Sequence, residues 1–145
     1  VAGDDGVGLA VLSWLRATRV PPGTDLVAVA EPSGLVPLLE GVERVVVVDA
    51  VLAPGEPGRV LSLAPEEVRS HRVPLLSTHG VGVATALDLA RLTSSAPAPV
   101  TTIVGITITR PRAYGHDLSP EVAQAIPLAG LEILRLLGEG AETAR

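Results

Sequence analysis

A chain of 145 residues, 47% hydrophobic and 19% charged, is long enough to enclose one core and too apolar to remain unfolded. Its formal charge of -5, with every cationic side chain an arginine, offers nucleic acid no basic field, and no apolar run reaches the roughly 20 residues that cross a bilayer. With no cysteine, disulfides, thiolate metal sites and cysteine nucleophiles are excluded, so any metal must be held by imidazole and carboxylate.

Trp14 and Tyr114 are the only aromatics, so the core has to be packed from Val, Leu, Ile and Ala. Gly8 to Ala17 places Leu9, Val11, Leu12 and Leu15 at helical spacing, after two aspartates suited to a helix start. Pro21, Pro22 and Gly23 end that helix. Asp25 to Ala30 reads as a short strand, and Gly34 to Glu40 as a brief helix closed by Gly41. Arg44 to Ala50, RVVVVDA, is the unbroken apolar run of a strand buried on both faces. Pro54, Gly55, Pro57 and Gly58 mark a turn, and Arg59 to Leu63 alternates as an edge strand does.

A helix follows His79, carrying Val83, Leu87 and Ala90 with Leu92 near its end, until Ser94 to Pro99 breaks the pattern. Val100 to Ile108, VTTIVGITI, is β-branched almost throughout and reads as another inner strand. The last helix has Ser119 as its cap, Pro120 and Glu121 in its first turn, and Val122, Ile126, Ile133 and Leu137 on one face. Pro127 predicts a local kink and Gly138 a C-terminal cap. The alternation implies one α/β domain over residues 1–145, a doubly wound, mostly parallel sheet with helices on both faces. With no basic segment leading into an apolar signal core, a cytoplasmic location is expected.

Ligands of such sheets bind beyond the carboxyl ends of the strands. Asp49 follows the four valines at such an end, His79 lies in the loop Leu76 to Gly82, and Asp4 and Asp5 open the first helix. Two carboxylates, Asp49 and one of Asp4 and Asp5, with the His79 imidazole make a borderline donor set that accepts zinc, nickel or similar divalent ions. Each has a plainer reading: Asp5 as a helix cap, Asp49 as a turn cap and His79 as a surface imidazole. His116 and Asp117 read as a loop before the last helix, with Tyr114 over apolar surface, and His71 as a solvated loop residue. The glycines of GDDGVG also resemble a phosphate cradle, but they lack the dinucleotide spacing, no lysine follows, and two aspartates repel phosphate.

GDDGVG, VVVVDA and STHGVGVATALDLA, in that order, resemble the recurrent blocks of the hydrogenase maturation proteases. Between and after them, APGEPGRVLSLAPEEV and VGITITRPRAYGHDLSPEVAQAI resemble that family's turn, edge strand, last strand and final helix, so the likeness covers nearly the whole chain. The resemblance implies a three-layer, phosphorylase/hydrolase-like fold. It also implies an endopeptidase that removes a C-terminal extension from the large-subunit precursor of a nickel-iron hydrogenase after nickel insertion. The family's two acidic metal ligands and its histidine fall on Asp5, Asp49 and His79, which are then both the metal-contacting and the catalytic trio. The metal is expected to be the precursor's own nickel, and the partner the nickel-loaded precursor, with neither nucleic acid nor membrane involved. Glu31 stands where relatives often carry another acid, although PSG follows it here. The family begins with a strand and a Gly-Asn turn before the acidic pair, whereas GDDG comes almost at once here. The resemblance therefore implies that this strand is missing from the chain, leaving inner edges open to association. A degenerate, inactive relative or a ligand-binding α/β module is the alternative.

Overall fold

The computed structural model describes residues 6–52, 55–69, 78–109 and 118–143. Strand β1, Arg44–Leu52, and strand β3, Val100–Ile108, lie parallel in continuous register from Arg44 opposite Val100 to Leu52 opposite Ile108. Their β-branched residues suit a pleated surface, but β1, expected to be buried on both faces, is an edge of the described sheet and only partly buried through Asp49, whereas β3 lies between two strands and is buried from Ile103 onward. Strand β2, Val60–Leu63, joins the far side of β3 antiparallel, giving the order β1-β3-β2. The edge strand expected from the alternation at Arg59 to Leu63 is thus present, and the parallel pairing is confined to β1 and β3.

Because side chains alternate across a strand, the sheet divides two apolar clusters. Val46, Val48, Ala50 and Leu52 of β1, with Val104, Ile106 and Ile108 of β3, pack against helices α1, Val7–Arg16, and α4, Pro120–Thr143. Val45, Val47 and Ile103, with Leu61 and Leu63 of β2, pack against a 3₁₀ segment, Pro32–Leu39, and helices α2, Pro65–Arg69, and α3, Thr78–Thr93. The result is a small mixed sheet flanked by helices. No helix among the described residues is long and apolar enough to cross a membrane.

In α1 the buried residues are Val7, Val11, Leu12 and Leu15. The stripe runs i, i+4, i+8 from Val7, and Leu9, expected on it, is 49% exposed because its direction falls well outside that stripe, toward the far side of the helix. Each fully buried side chain of this size contributes about 1.5–3 kcal/mol relative to exposure. In α3, Val83, Leu87 and Ala90 are buried as predicted, while Leu92 is 79% exposed on the opposite face. Ser119 caps α4, its Oγ accepting the Val122 N–H at 3.4 Å and its carbonyl the Ala123 N–H at 2.8 Å. Gly138 does not end that helix. It lacks the left-handed conformation a glycine cap needs, and the helix runs on to Thr143.

Three further differences from the sequence reading have local causes. Asp25 to Ala30 forms no strand and pairs with none among the described residues, although Leu26 still packs on the α1–α4 cluster. Residues 32–39 form a 3₁₀ segment, with Pro32 at its first position and Pro37 inside it withholding a donor from an α ladder, and Gly41, at φ +72°, turns the chain away afterwards. Helix α2 was not foreseen. Pro65 stands in its first turn, and Ala64 and Glu67 cap each other, the Ala64 N–H reaching Glu67 Oε1 at 3.1 Å and the Glu67 N–H reaching the Ala64 carbonyl at 3.0 Å.

The turn ahead of β2 is fastened to the end of β3. Thr107, 2% exposed, accepts the Arg59 N–H through Oγ1 at 2.9 Å and donates that hydroxyl to the Glu56 carbonyl at 3.0 Å. Gly58, at φ +85°, donates to the Thr107 carbonyl at 2.7 Å, and a Cβ there would collide with the Glu121 carbonyl at the start of α4.

Two glycines of α4 give opposite expectations. A Cβ on Gly130 would enter the Trp14 ring where α1 crosses α4, whereas one on Gly138 meets nothing within 4 Å. Gly130→Ala is expected to lower stability by about 1–3 kcal/mol through overpacking, and Gly138→Ala to raise it by up to about 1 kcal/mol through helix propensity. Urea denaturation of the two variants checks the pair of signs.

Ser62 on β2 and Arg135 both hydrogen-bond Glu132 of α4, Ser62 Oγ at 3.0 Å and Arg135 Nε at 2.9 Å. The Arg135 hydrogen bond lowers the Glu132 pKa below its ordinary 4.5, partial burial opposes this, and the Ser62 bond and the guanidinium charge add to the lowering. A depressed carboxylate stabilises the fold above its unfolded pKa, and that contribution disappears as pH falls through the folded value. Glu132→Gln is therefore expected to cost under about 1 kcal/mol at neutral pH and to bring stability to wild-type level once both fall below the native Glu132 pKa. Thermal melts from pH 7 to pH 3 measure this.

Candidate functional site

Asp49 belongs to the face of β1 that carries Val45 and Val47, the face covered by α3 and the 3₁₀ segment. The strand does not stop at Ala50 as its sequence suggests. Ala50 and Val51 are buried and keep the pairing to Leu52, so Asp49, the sixth of the nine residues of β1, lies inside the strand, three residues before its end, and is half-buried. Its Oδ1 accepts the Ala50 N–H at 2.8 Å, which fixes the plane of the carboxylate. The residue opposite it on β3 is Gly105, and the volume a side chain would fill there is occupied by Val51 Cγ2.

His79 stands in the first turn of α3 and not in a loop ahead of it. Thr78 already begins the helix. Because α3 runs into β3, and β3 is parallel to β1, the amino-terminal end of α3 lies toward the strand ends that follow Asp49. Asp4 and Asp5 lie outside the described residues, as do His71, Tyr114, His116 and Asp117. Among the described residues no group of three or more His, Asp or Glu side chains is placed to hold a metal. Glu31 is exposed and occupies the position before the 3₁₀ segment, with its carbonyl accepting the Gly34 N–H at 2.9 Å.

What the sequence reading missed is a repeated pattern behind two of the candidate ligands. Asp5 is followed by Gly6-Val7-Gly8, and His79 by Gly80-Val81-Gly82. A Cβ on Gly8 would stand 3.2 Å from the carbonyl oxygen of Val48, the residue before Asp49. A Cβ on Gly82 would stand 2.9 Å from Cγ of Pro32. The start of α1 therefore lies on β1 beside Asp49, and the start of α3 lies on the first residue of the 3₁₀ segment. The signal was legible as two Gly-Val-Gly triplets at equal offsets.

A profile of the HycI hydrogenase maturation protease family matches residues 28–136, the larger part of the chain, including Asp49 and His79. The chain belongs to the hydrogenase maturation protease family. Members of this family are peptidases. The structure is similar to the hydrogenase maturating endopeptidase HybD from Escherichia coli, with 22% identity, a TM-score of 0.79, and 96% of this chain and 86% of that chain covered. It is also similar to the [NiFe] hydrogenase maturation protease HybD from Thermococcus kodakarensis, with 25% identity, a TM-score of 0.78, and 94% and 92% covered. A hydrogenase 2 maturation peptidase from a Thaumarchaeota archaeon matches with 28% identity, a TM-score of 0.64, and 94% and 91% covered. No curated protein sequence matches the chain.

Within this maturation protease, Asp49 is a half-buried carboxylate whose Oδ1 accepts a backbone N–H. Asp49→Asn keeps an oxygen for the Ala50 N–H and removes the charge, so its stability is expected to stay within about 1 kcal/mol of wild type. Asp49→Ala loses the hydrogen bond as well and is expected to cost about 0.5–1.5 kcal/mol. Chemical denaturation of both variants separates the structural role of this side chain from its charge.

Proposed function

We propose that this maturation protease is the endopeptidase that removes the C-terminal extension of a nickel-iron hydrogenase large-subunit precursor once nickel is in place, with Asp5, Asp49 and His79 recognising the metal. The observation that carries the reading is the pairing of a family match across both Asp49 and His79 with their positions in the fold. One stands on the α3-covered face of β1, the other in the first turn of α3 itself.

Nickel in this reading is the precursor's cargo and part of the substrate. Two carboxylates and an imidazole form a borderline donor set suited to nickel, and also to zinc or cadmium. Recognition of bound nickel makes cleavage conditional, because a precursor without metal forfeits the interaction that seats its C-terminal segment. With no thiol in the chain, the same carboxylates and imidazole are the groups available to activate water for peptide hydrolysis. The reaction takes place in the cytoplasm, with the nickel-loaded precursor as partner.

Incubation of the purified chain with nickel-loaded and nickel-free precursor tests this directly. Cleavage is expected only for the loaded form, with kcat/KM lowered about 100-fold or more in Asp49→Asn and His79→Ala. Equal processing of the two precursor forms would reject nickel gating, and unchanged kinetics in both variants would reject the trio.

A further inference from the structure

Glycine is the poorest helix former after proline, so local helix formation favours any other residue at positions 8 and 82. Neither residue has a positive φ, and the backbone conformation therefore does not require glycine. What does require it is proximity. Gly8 abuts the Val48 carbonyl at the 3.2 Å a Cβ would reach, and Gly82 abuts the Pro32 ring, where a Cβ would stand 2.9 Å from Cγ and 3.3 Å from Cβ. Both helix starts sit on neighbours that yield little, one a backbone oxygen within a paired strand, the other a closed ring.

We propose that Gly8 and Gly82 are positioning residues of the metal-recognition site, whose bare α-carbons let the first turns of α1 and α3 seat against β1 and the 3₁₀ segment. Gly8 follows Asp5 by the same three positions by which Gly82 follows His79, so each glycine sets the approach of a helix start that leads back to a candidate ligand. The proposal rests on the trio assigned above. A methyl at position 82 must open the contact with Pro32 by several tenths of an ångström, and a helix moves as a rigid body. Sites of this kind tolerate misplacement of only about 0.5 Å before function falls.

The test compares the full chain with Gly82→Ala, Gly8→Ala, Gly82→Ala combined with Pro32→Ala, Asp49→Asn, and Gly138→Ala as a helix glycine with open space around it. Zinc chloride alone is titrated calorimetrically, kcat and KM are measured on nickel-loaded precursor, and circular dichroism reports helix content. Gly82→Ala and Gly8→Ala are expected to keep their helix content while zinc affinity and kcat each drop about tenfold, with KM for the nickel-loaded precursor rising as metal recognition weakens. Pro32→Ala restores both quantities in the Gly82→Ala chain, and Gly138→Ala alters neither. If Gly82→Ala fails to fold, the double variant decides, since relief of the ring contact must return both fold and function. Wild-type zinc affinity and kcat in Gly82→Ala and Gly8→Ala, while Asp49→Asn loses both, would overturn the positioning role and leave the trio standing. A loss in Gly82→Ala that Pro32→Ala does not repair would overturn it as well. Wild-type behaviour of Asp49→Asn in both assays would instead bring down the trio, and the positioning role with it.

Discussion

The parallel pairing of β1 with β3 is the constraint on which the rest of the molecule depends. It holds two apolar strands side by side in register, and the alternation of their side chains then assigns every helix to one face or the other. A slip of one residue would carry Asp49 from the α3 side into the cluster formed by α1 and α4, and would send Val48 and Ala50 outward. Apolar burial on two faces and the address of a carboxylate are therefore set by the same ladder. The stability of the sheet and the location of the site are not separable properties here.

Around that ladder, the connections do the local work. Thr107 and Gly58 fasten the turn before β2 to the end of β3 and to the start of α4. Ser62 and Glu132 join β2 to the outer part of the same helix. The short antiparallel strand is consequently held at three places besides its ladder, which explains how four residues can close one edge of the sheet.

Much of this was legible in the sequence where apolar spacing or a cap made the choice. The RVVVVDA and VTTIVGITI runs announced β1 and β3, and Ser119-Pro120-Glu121 announced the start of α4. Tertiary context decided the rest. Asp25 to Ala30 has the composition of a strand but pairs with none among the described residues, Gly138 had the position of a cap but a helical backbone, and Leu9 had the identity of a core residue at the wrong angle. Of the candidate site, Asp49 was legible because an acid after a valine run must face a boundary between core and solvent. His79 was legible as a residue, but its place inside α3 was not, because Thr78 gives only a weak start signal. The two Gly-Val-Gly triplets carried information that only contact distances revealed, since a missing side chain signals nothing until its neighbour is known.

The single tryptophan is set half-buried in the crossing of α1 and α4, its ring against the bare α-carbon of Gly130. Its emission consequently reports on one interface alone. Any tilt or release of α1 changes the polarity around that indole, while rearrangements on the α3 side of the sheet leave it in place. The chain thus carries a built-in optical gauge of the helix whose leading end abuts β1, free of background from any other indole.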